Sequence, residues 1–305
     1  LVVAPTQASR RIAVVGAGPA GLACATEAAA RGHRVALFDM ASEIGGQFNL
    51  AKRIPGKEEF HETLRYFRHR IAETGVALHL GARVDADALQ GFDAVVLATG
   101  VVPRAVSFEG ATHPKVVSYL DVLEGRVVCG PRVAIVGAGG IGFDVAEFLV
   151  HAGPSPALDP KRWMAEWGID PSFQSRGGLD APRPEAPARA VWLLQRTEGR
   201  PGARLGKTTG WIHRATLKAK GVRMLGGVEY LGVDDAGFRI RVGGEEQHLD
   251  VDHIVTCAGQ ESRRDLLAPL QAAGRDVHVI GGADVATELD AKRAIDQGTR
   301  LAAKL

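Results

Sequence analysis

The residues whose spacing carries the most chemistry are three glycines. Gly16, Gly18 and Gly21 follow the run Ile12-Ala13-Val14-Val15 at the interval G-x-G-x-x-G, and an alanine-rich stretch opening at Pro19-Ala20 leaves them. Gly16 permits a tight turn, Gly18 lets the backbone approach a pyrophosphate, and Gly21 lets a helix pack close to its strand. The phosphates then meet the free N–H groups and the positive end of the helix dipole. Val35-Ala36-Leu37-Phe38 reads as the next strand and ends in Asp39. That acid lies about twenty residues past the turn, where a carboxylate accepts the ribose hydroxyls of an adenine dinucleotide. The pair Gly45-Gly46 is a second point of close backbone approach, and it marks the dinucleotide as FAD. Gln47 then reaches the flavin side, and Lys57 in Pro55-Gly56-Lys57 is a candidate for a phosphate or ribose.

The pattern occurs twice. Arg132-Val133-Ala134-Ile135-Val136 leads into Gly137, Gly139 and Gly142, and Ala190 to Leu194 is the following strand. Here the strand ends in Gln195-Arg196 rather than an acid. An arginine favours the extra 2′-phosphate of NADPH through a charge-assisted fork, where an acid would favour a free ribose. Arg200, Arg204 and Lys207 lie just beyond. Thr99 and Gly100 close the strong strand Ala94–Ala98, at the point where one domain meets the flavin and the chain departs. Val84 marks backbone against which adenine lies. Asp284 in Gly282-Ala283-Asp284 is a candidate for a ribitol hydroxyl. Leu289 and Ala291 open a final helix whose N–H groups stabilise an anionic reduced flavin.

These residues require strands that end at glycine turns and helices that begin there. The fold expected is α/β, with two Rossmann-like dinucleotide-binding domains and the NADPH domain inserted in the FAD domain. Residues 1–103 and 255–305 form the first, residues 104–254 the second. The strand 252–259 is expected to return the chain to the first domain. Residues 153–189, rich in Pro and Gly but holding Trp163, Trp167 and Phe173, read as a packed excursion.

Composition narrows the function classes. The chain has 305 residues, enough for two cores, and a formal charge of +2, which gives no reason to expect nucleic acid or an anionic membrane. No apolar run approaches the roughly 20 residues of a membrane span, no signal segment opens the chain, and the three cysteines suggest no disulfide framework, so a reducing cytoplasm is the expected home. Cys24, Cys129 and Cys257 are the three cysteines, and no C-x-x-C occurs. A redox dithiol and a cysteine-held iron–sulfur cluster are therefore both missing, and no metal ligands are assigned. A hydride step needs no protein acid or base, so no catalytic residue is assigned either.

With these residues in hand, the chain resembles the C-terminal half of bacterial NADPH-dependent 2,4-dienoyl-CoA reductases, iron–sulfur flavoenzymes related to trimethylamine dehydrogenase. The likeness rests on residues 14–21, 38–55 (FDMASEIGGQFNLAKRIP), 56–60, 206–214 (GKTTGWIHR) and 288–301 (ELDAKRAIDQGTRL). It implies FAD contacts at Ala20, Asp39, Gln47, Lys57 and Val84, and NADPH contacts around Arg196 and Arg214. It also implies, as partner, an N-terminal barrel of the same polypeptide that carries FMN and an iron–sulfur cluster, none of it encoded here. The chain begins at Leu1 rather than Met, which fits a piece of a longer polypeptide. The expected role is transfer of hydride from NADPH to FAD, serving unsaturated fatty-acid oxidation. The competing readings are a free-standing NADPH:acceptor reductase and a nucleotide-binding module without redox activity.

Overall fold

The structure is a computed structural model that describes residues 4–287 and 290–305. It divides into two units. In chain order the elements are β1 (Arg11–Val15), α1 (Pro19–Ala30), β2 (Arg34–Phe38), α2 (Phe48–Ala51), α3 (Phe60–Thr74), β3 (Ala77–His79), β4 (Ala94–Leu97), β5 (Val101–Pro103), β6 (Val116–Ser118), α4 (Tyr119–Leu123), β7 (Arg132–Val136) and α5 (Gly140–Val150). There follow α6 (Pro160–Trp167), β8 (Ala190–Leu194), α7 (Gly210–Ala219), β9 (Arg223–Leu225), β10 (Val228–Asp234), β11 (Gly237–Val242), β12 (Glu245–Leu249), β13 (His253–Thr256), β14 (Gln260–Ser262), α8 (Leu267–Ala272), β15 (Val277–Val279) and α9 (Ala291–Ala302).

The first unit comprises residues 1–52, 59–102 and 260–305. Its sheet is parallel throughout, in the order β15-β4-β1-β2-β3. β1 is central, and four of its five residues are buried, as expected of a strand covered on both faces. α1 packs its alanines, Leu22 and Cys24 into the core with Leu64, Phe67 and Ile71 of α3. These three share one helical face because they recur at intervals of three and four.

The second unit comprises residues 53–58 and 103–259. Its sheet is again parallel, in the order β6-β13-β7-β8-β9. A three-stranded antiparallel meander, β10-β11-β12, packs Phe238 and Ile240 with Val228, Val251 and Ile254. The turns at Gly226-Gly227, 235–237 and Gly243-Gly244 bound its strands. The α/β architecture expected from the sequence is the one found.

The unit limits differ from the sequence-based boundaries at Pro103, which falls in the second unit, and more widely in two other places. β13 lies between β6 and β7, so the second unit runs to Gly259 and the chain crosses back there, rather than at 255. The reason is its burial: Ile254 and Val255 are fully buried in the second sheet. Residues 53–58 also group with the second unit, and Lys57 goes with them.

Residues 153–189 are held by charge rather than by the aromatic packing expected, since Phe173 and Trp163 are exposed and Trp167 is half-buried. Lys220, almost fully buried after α7, donates to Glu166 of α6 at 2.8 Å and to the Glu185 carbonyl at 3.1 Å. Among the described residues no helix is long and apolar enough to cross a membrane.

Candidate functional site: two glycine turns

The two turns are built alike. Gly16 N–H donates to the Phe38 carbonyl at 2.7 Å, and Gly137 N–H to the Leu194 carbonyl at 2.9 Å. Gly16 has φ +110° and Gly137 φ +111°. A Cβ on Gly16 would lie 2.3 Å from the Ala98 carbonyl oxygen, and one on Gly137 would lie 2.4 Å from that of Cys257. Gly21 and Gly142 face the turns from their helices, where a Cβ would sit 1.8 Å from the Gly16 and Gly137 oxygens respectively. By contrast, a Cβ on Gly18 or Gly139 would meet nothing within 4 Å. The middle glycine of each turn thus borders open space, which is the opening a pyrophosphate needs.

Both helices offer their N-termini to that space. α1 and α5 begin after Gly18 and Gly139, with no side-chain cap and no acidic residue in the first turn. Their first N–H groups have no intrahelical partner. Such an end suits an anion, because the donors and the dipole act together.

The surroundings of the first turn fit FAD. Asp39 Oδ2 accepts from Ala17 N–H at 2.6 Å, and Oδ1 accepts from Ala41 N–H at 2.8 Å. The carboxylate is thereby pinned beside the turn, with acceptor capacity left for hydroxyls. The Asp39 carbonyl accepts from Ala82 N–H at 2.9 Å, which draws the segment carrying half-buried Val84 alongside. Gly46 backs directly on the opening, since its Cβ would lie 3.1 Å from Gly18 Cα. Gln47 precedes α2 and makes no side-chain hydrogen bond among the described residues.

Thr99 Oγ1 donates to the Arg263 carbonyl at 2.5 Å, and Arg263 N–H donates to the Gly100 carbonyl. Asp284 accepts from Gln297 Nε2 at 2.7 Å, while Gln297 Oε1 accepts from Gly281 N–H at 2.8 Å. Ala20 packs under Gly281 and Gly298. Ala291 is the first residue of α9, and the Asp290 side chain caps that helix by accepting from Arg293 N–H. Leu289 lies outside the described residues.

The second turn is set differently. Arg196 is exposed, as are Arg200, Arg204 and Lys207, and none of the four makes a side-chain hydrogen bond or ion pair among the described residues, although the Arg196 charge acts on Tyr230. Arg214, half-buried on α7, donates through Nη1 to the Gly202 carbonyl at 2.8 Å. Lys57 donates to Asp144 Oδ1 of α5 at 2.6 Å. One turn further along α5, buried Glu147 accepts from His213 Nδ1 at 2.7 Å. That bond, and the charge behind it, raise the His213 pKa above the ordinary histidine value.

Asp144, Glu147 and His213 were not picked out from the sequence. The signal available was two acids three residues apart in an otherwise apolar helix, GIGFDVAEFLV. All three cysteines are buried, and burial pushes their thiols up, Cys24 to about 12. None is poised as a thiolate.

Two strand–turn–helix units of this geometry define a dinucleotide-binding flavoprotein fold. The pyridine nucleotide-disulphide oxidoreductase profile matches residues 10–292, and the chain belongs to that family, whose members bind FAD and a nicotinamide dinucleotide. The chain is 27% identical over 289 residues to a metal reductase of Desulforamulus reducens, covering 93% of this chain and 42% of that protein. It is 32% identical over 151 residues to a cinnamate reductase of Clostridium sporogenes, covering 47% of this chain and 22% of that protein. The chain thus spans less than half the length of these relatives. Among solved structures, 2-naphthoyl-CoA reductase superposes with a TM-score of 0.82 at 24% identity, over 100% of this chain and 41% of that one. Thioredoxin reductase of T. acidophilum gives 0.64 at 15% identity, over 96% of both chains.

Proposed function

We propose that this chain is an electron-input module that takes hydride from NADPH onto FAD. The observation that carries the reading is the contrast at the two strand ends: Asp39 beside the first turn, Arg196 beside the second. FAD, when bound, supplies the two-electron acceptor. In the first unit, Gly16, Gly18, Ala20 and Gly21 would form the pyrophosphate cradle, with Asp39 on the ribose. Gly46, Gln47, Val84, Thr99, Gly100 and Asp284 would line the remainder, with the α9 terminus at Leu289 and Ala291. In the second unit, Gly137, Gly139 and Gly142 would take the pyrophosphate of NADPH and Arg196 its 2′-phosphate. Lys57 and Arg214 enter as positioning residues, since each has its cation engaged within the second unit.

The finer part of the proposal concerns the whole polypeptide. Electrons would pass on through an iron–sulfur cluster and FMN, carried by an N-terminal barrel, to a 2,4-dienoyl-CoA in fatty-acid breakdown in the cytoplasm. The reductase names of the relatives and their greater length support this. A free-standing NADPH:acceptor reductase is the second reading. It draws on the thioredoxin reductase superposition, in which the same fold makes up a full chain.

The test is reconstitution with FAD, followed by rapid mixing with NADPH or NADH while flavin absorbance is monitored. The expected result is stoichiometric FAD and bleaching that is faster with NADPH. Failure to take up FAD would leave only a nucleotide-binding module, and dienoyl-CoA reduction by the chain alone would overturn the module reading.

A further inference from the structure

The loop 197–209, between β8 and α7, carries three of the four exposed cations and is clamped along its length. At one end Gly227 N–H donates to the Thr197 carbonyl at 3.0 Å. At the other, Gly210 N–H donates to the Gly206 carbonyl at 2.7 Å. In the middle lies Gly202, buried, with φ +74°. A Cβ there would lie 2.5 Å from Phe143 Cζ of α5. Arg214 Nη1 reaches the same residue from α7 and donates to its carbonyl at 2.8 Å. α7 is itself tied to α5 by the hydrogen bond from His213 to buried Glu147. Gly202 is therefore gripped from two helices, and one of them begins at the second glycine turn.

We propose that Arg214 and Gly202 form a latch that fixes the loop 197–209 relative to the pyrophosphate turn, and that this latch sets the preference for NADPH over NADH. The inference rests on the nucleotide reading above. Arg200, Arg204 and Lys207 are long, exposed side chains, and ordering a mobile loop at the moment of binding costs affinity. A loop ordered beforehand avoids that cost. The benefit falls mainly on a nucleotide with a 2′-phosphate, because NADH lacks that group and its pyrophosphate is already held at the glycine turn in both nucleotides. Arg214 acts here through the Gly202 backbone, as a positioning residue.

The latch and a direct phosphate contact are separable. If the loop is latched, trypsin cuts after Arg204 and Lys207 only when it opens, and the rate then follows the open population. The experiment compares Arg214→Met, Arg214→Lys and Gly202→Ala with the unaltered chain. Gly202→Ala removes no cation and dislodges the loop from Phe143. Each variant is first checked for a cooperative melt. In the nucleotide-free protein, Arg214→Met and Gly202→Ala are expected to speed cleavage about tenfold, and Arg214→Lys by less. Both should weaken NADPH about tenfold while NADH weakens far less.

Unchanged cleavage in both variants would overturn the latch. So would loss of NADPH affinity in Arg214→Met with cleavage unaltered, since that is the signature of a direct ligand. A wild-type chain indifferent to the 2′-phosphate would overturn the nucleotide reading instead, and the cleavage rates would still decide whether the loop is latched.

Discussion

The two units share one turn and differ in what lies over the helix that follows it. In the first, α9 covers α1 with small residues: a Cβ on Gly298 would lie 2.3 Å from the Ala20 carbonyl oxygen. In the second, α7 meets α5 through His213 and Glu147, and Lys57 takes Asp144. The buried polar side chains show the same division. Among the described residues, Thr26 and His33 are the buried polar residues of the first unit, whereas Glu147 and Lys220, both charged, belong to the second. Close apolar packing fixes the first helix by shape. Charge pairs fix the second, at the cost of desolvation, and make it sensitive to loss of a partner. The glycine turn alone therefore does not distinguish the two units; the strand end and the helix cover do.

The strongest way to break the comparison is at the equivalent glycines. Gly21→Ala and Gly142→Ala each force a methyl to within 1.8 Å of a turn oxygen, so the turn must open. Each should cost its own unit more than about 4 kcal/mol. Gly21→Ala should yield a colourless protein, while Gly142→Ala should retain flavin and lose nicotinamide nucleotide binding. Absorbance and calorimetric titration read the two outcomes.

Next comes the buried charge that, among the described residues, belongs to the second unit. Glu166→Gln leaves the Lys220 ammonium without its counter-charge, with that side chain 3% exposed. Breaking such a pair costs about 3–5 kcal/mol. A denaturant titration should show the loss, and Lys220→Met combined with Glu166→Leu should recover most of it.

A smaller effect is expected at the strand ends. Asp39→Ala should weaken FAD, and Arg196→Ala should weaken NADPH but spare NADH. A hydrogen bond to a charged group is worth about 1.5–3 kcal/mol, and exposed Arg196 belongs at the low end, about tenfold in affinity. Equal losses for NADPH and NADH would show that Arg196 is structural.

The smallest effect is a pH dependence. His213 faces Glu147 and Asp144 of α5, which favour its protonation, and Lys57, which opposes it, as does burial. Its folded pKa lies above the unfolded value of about 6.5. The stability it contributes is therefore fully present below about pH 6.5 and is lost as pH rises through the folded pKa. His213→Gln should flatten the melting temperature against pH over that range, and an unchanged profile would show that the pair contributes no net stability.

Much of this was legible in the sequence because it is local. The glycine spacing makes the turn legible, since the missing side chains at Gly16 and Gly137 and their positive φ are local properties, although the carbonyls they pass under, those of Ala98 and Cys257, come from distant strand ends. The apolar runs fix the strands, and Asp39 and Arg196 follow directly from where those runs stop. Tertiary structure decided what distant residues do to one another. Lys57 stands in a Pro-Gly-Lys loop that reads like a flavin contact, yet its ammonium is taken by Asp144, 87 residues away. Arg214 sits in a basic segment, yet its guanidinium holds the Gly202 carbonyl. β13 ends like an exit strand, yet buried Ile254 and Val255 keep it in the second sheet. A sequence displays the charges and apolar runs each segment carries. Which partner a side chain meets is settled only when the chain closes and burial makes an unpaired charge too costly to leave.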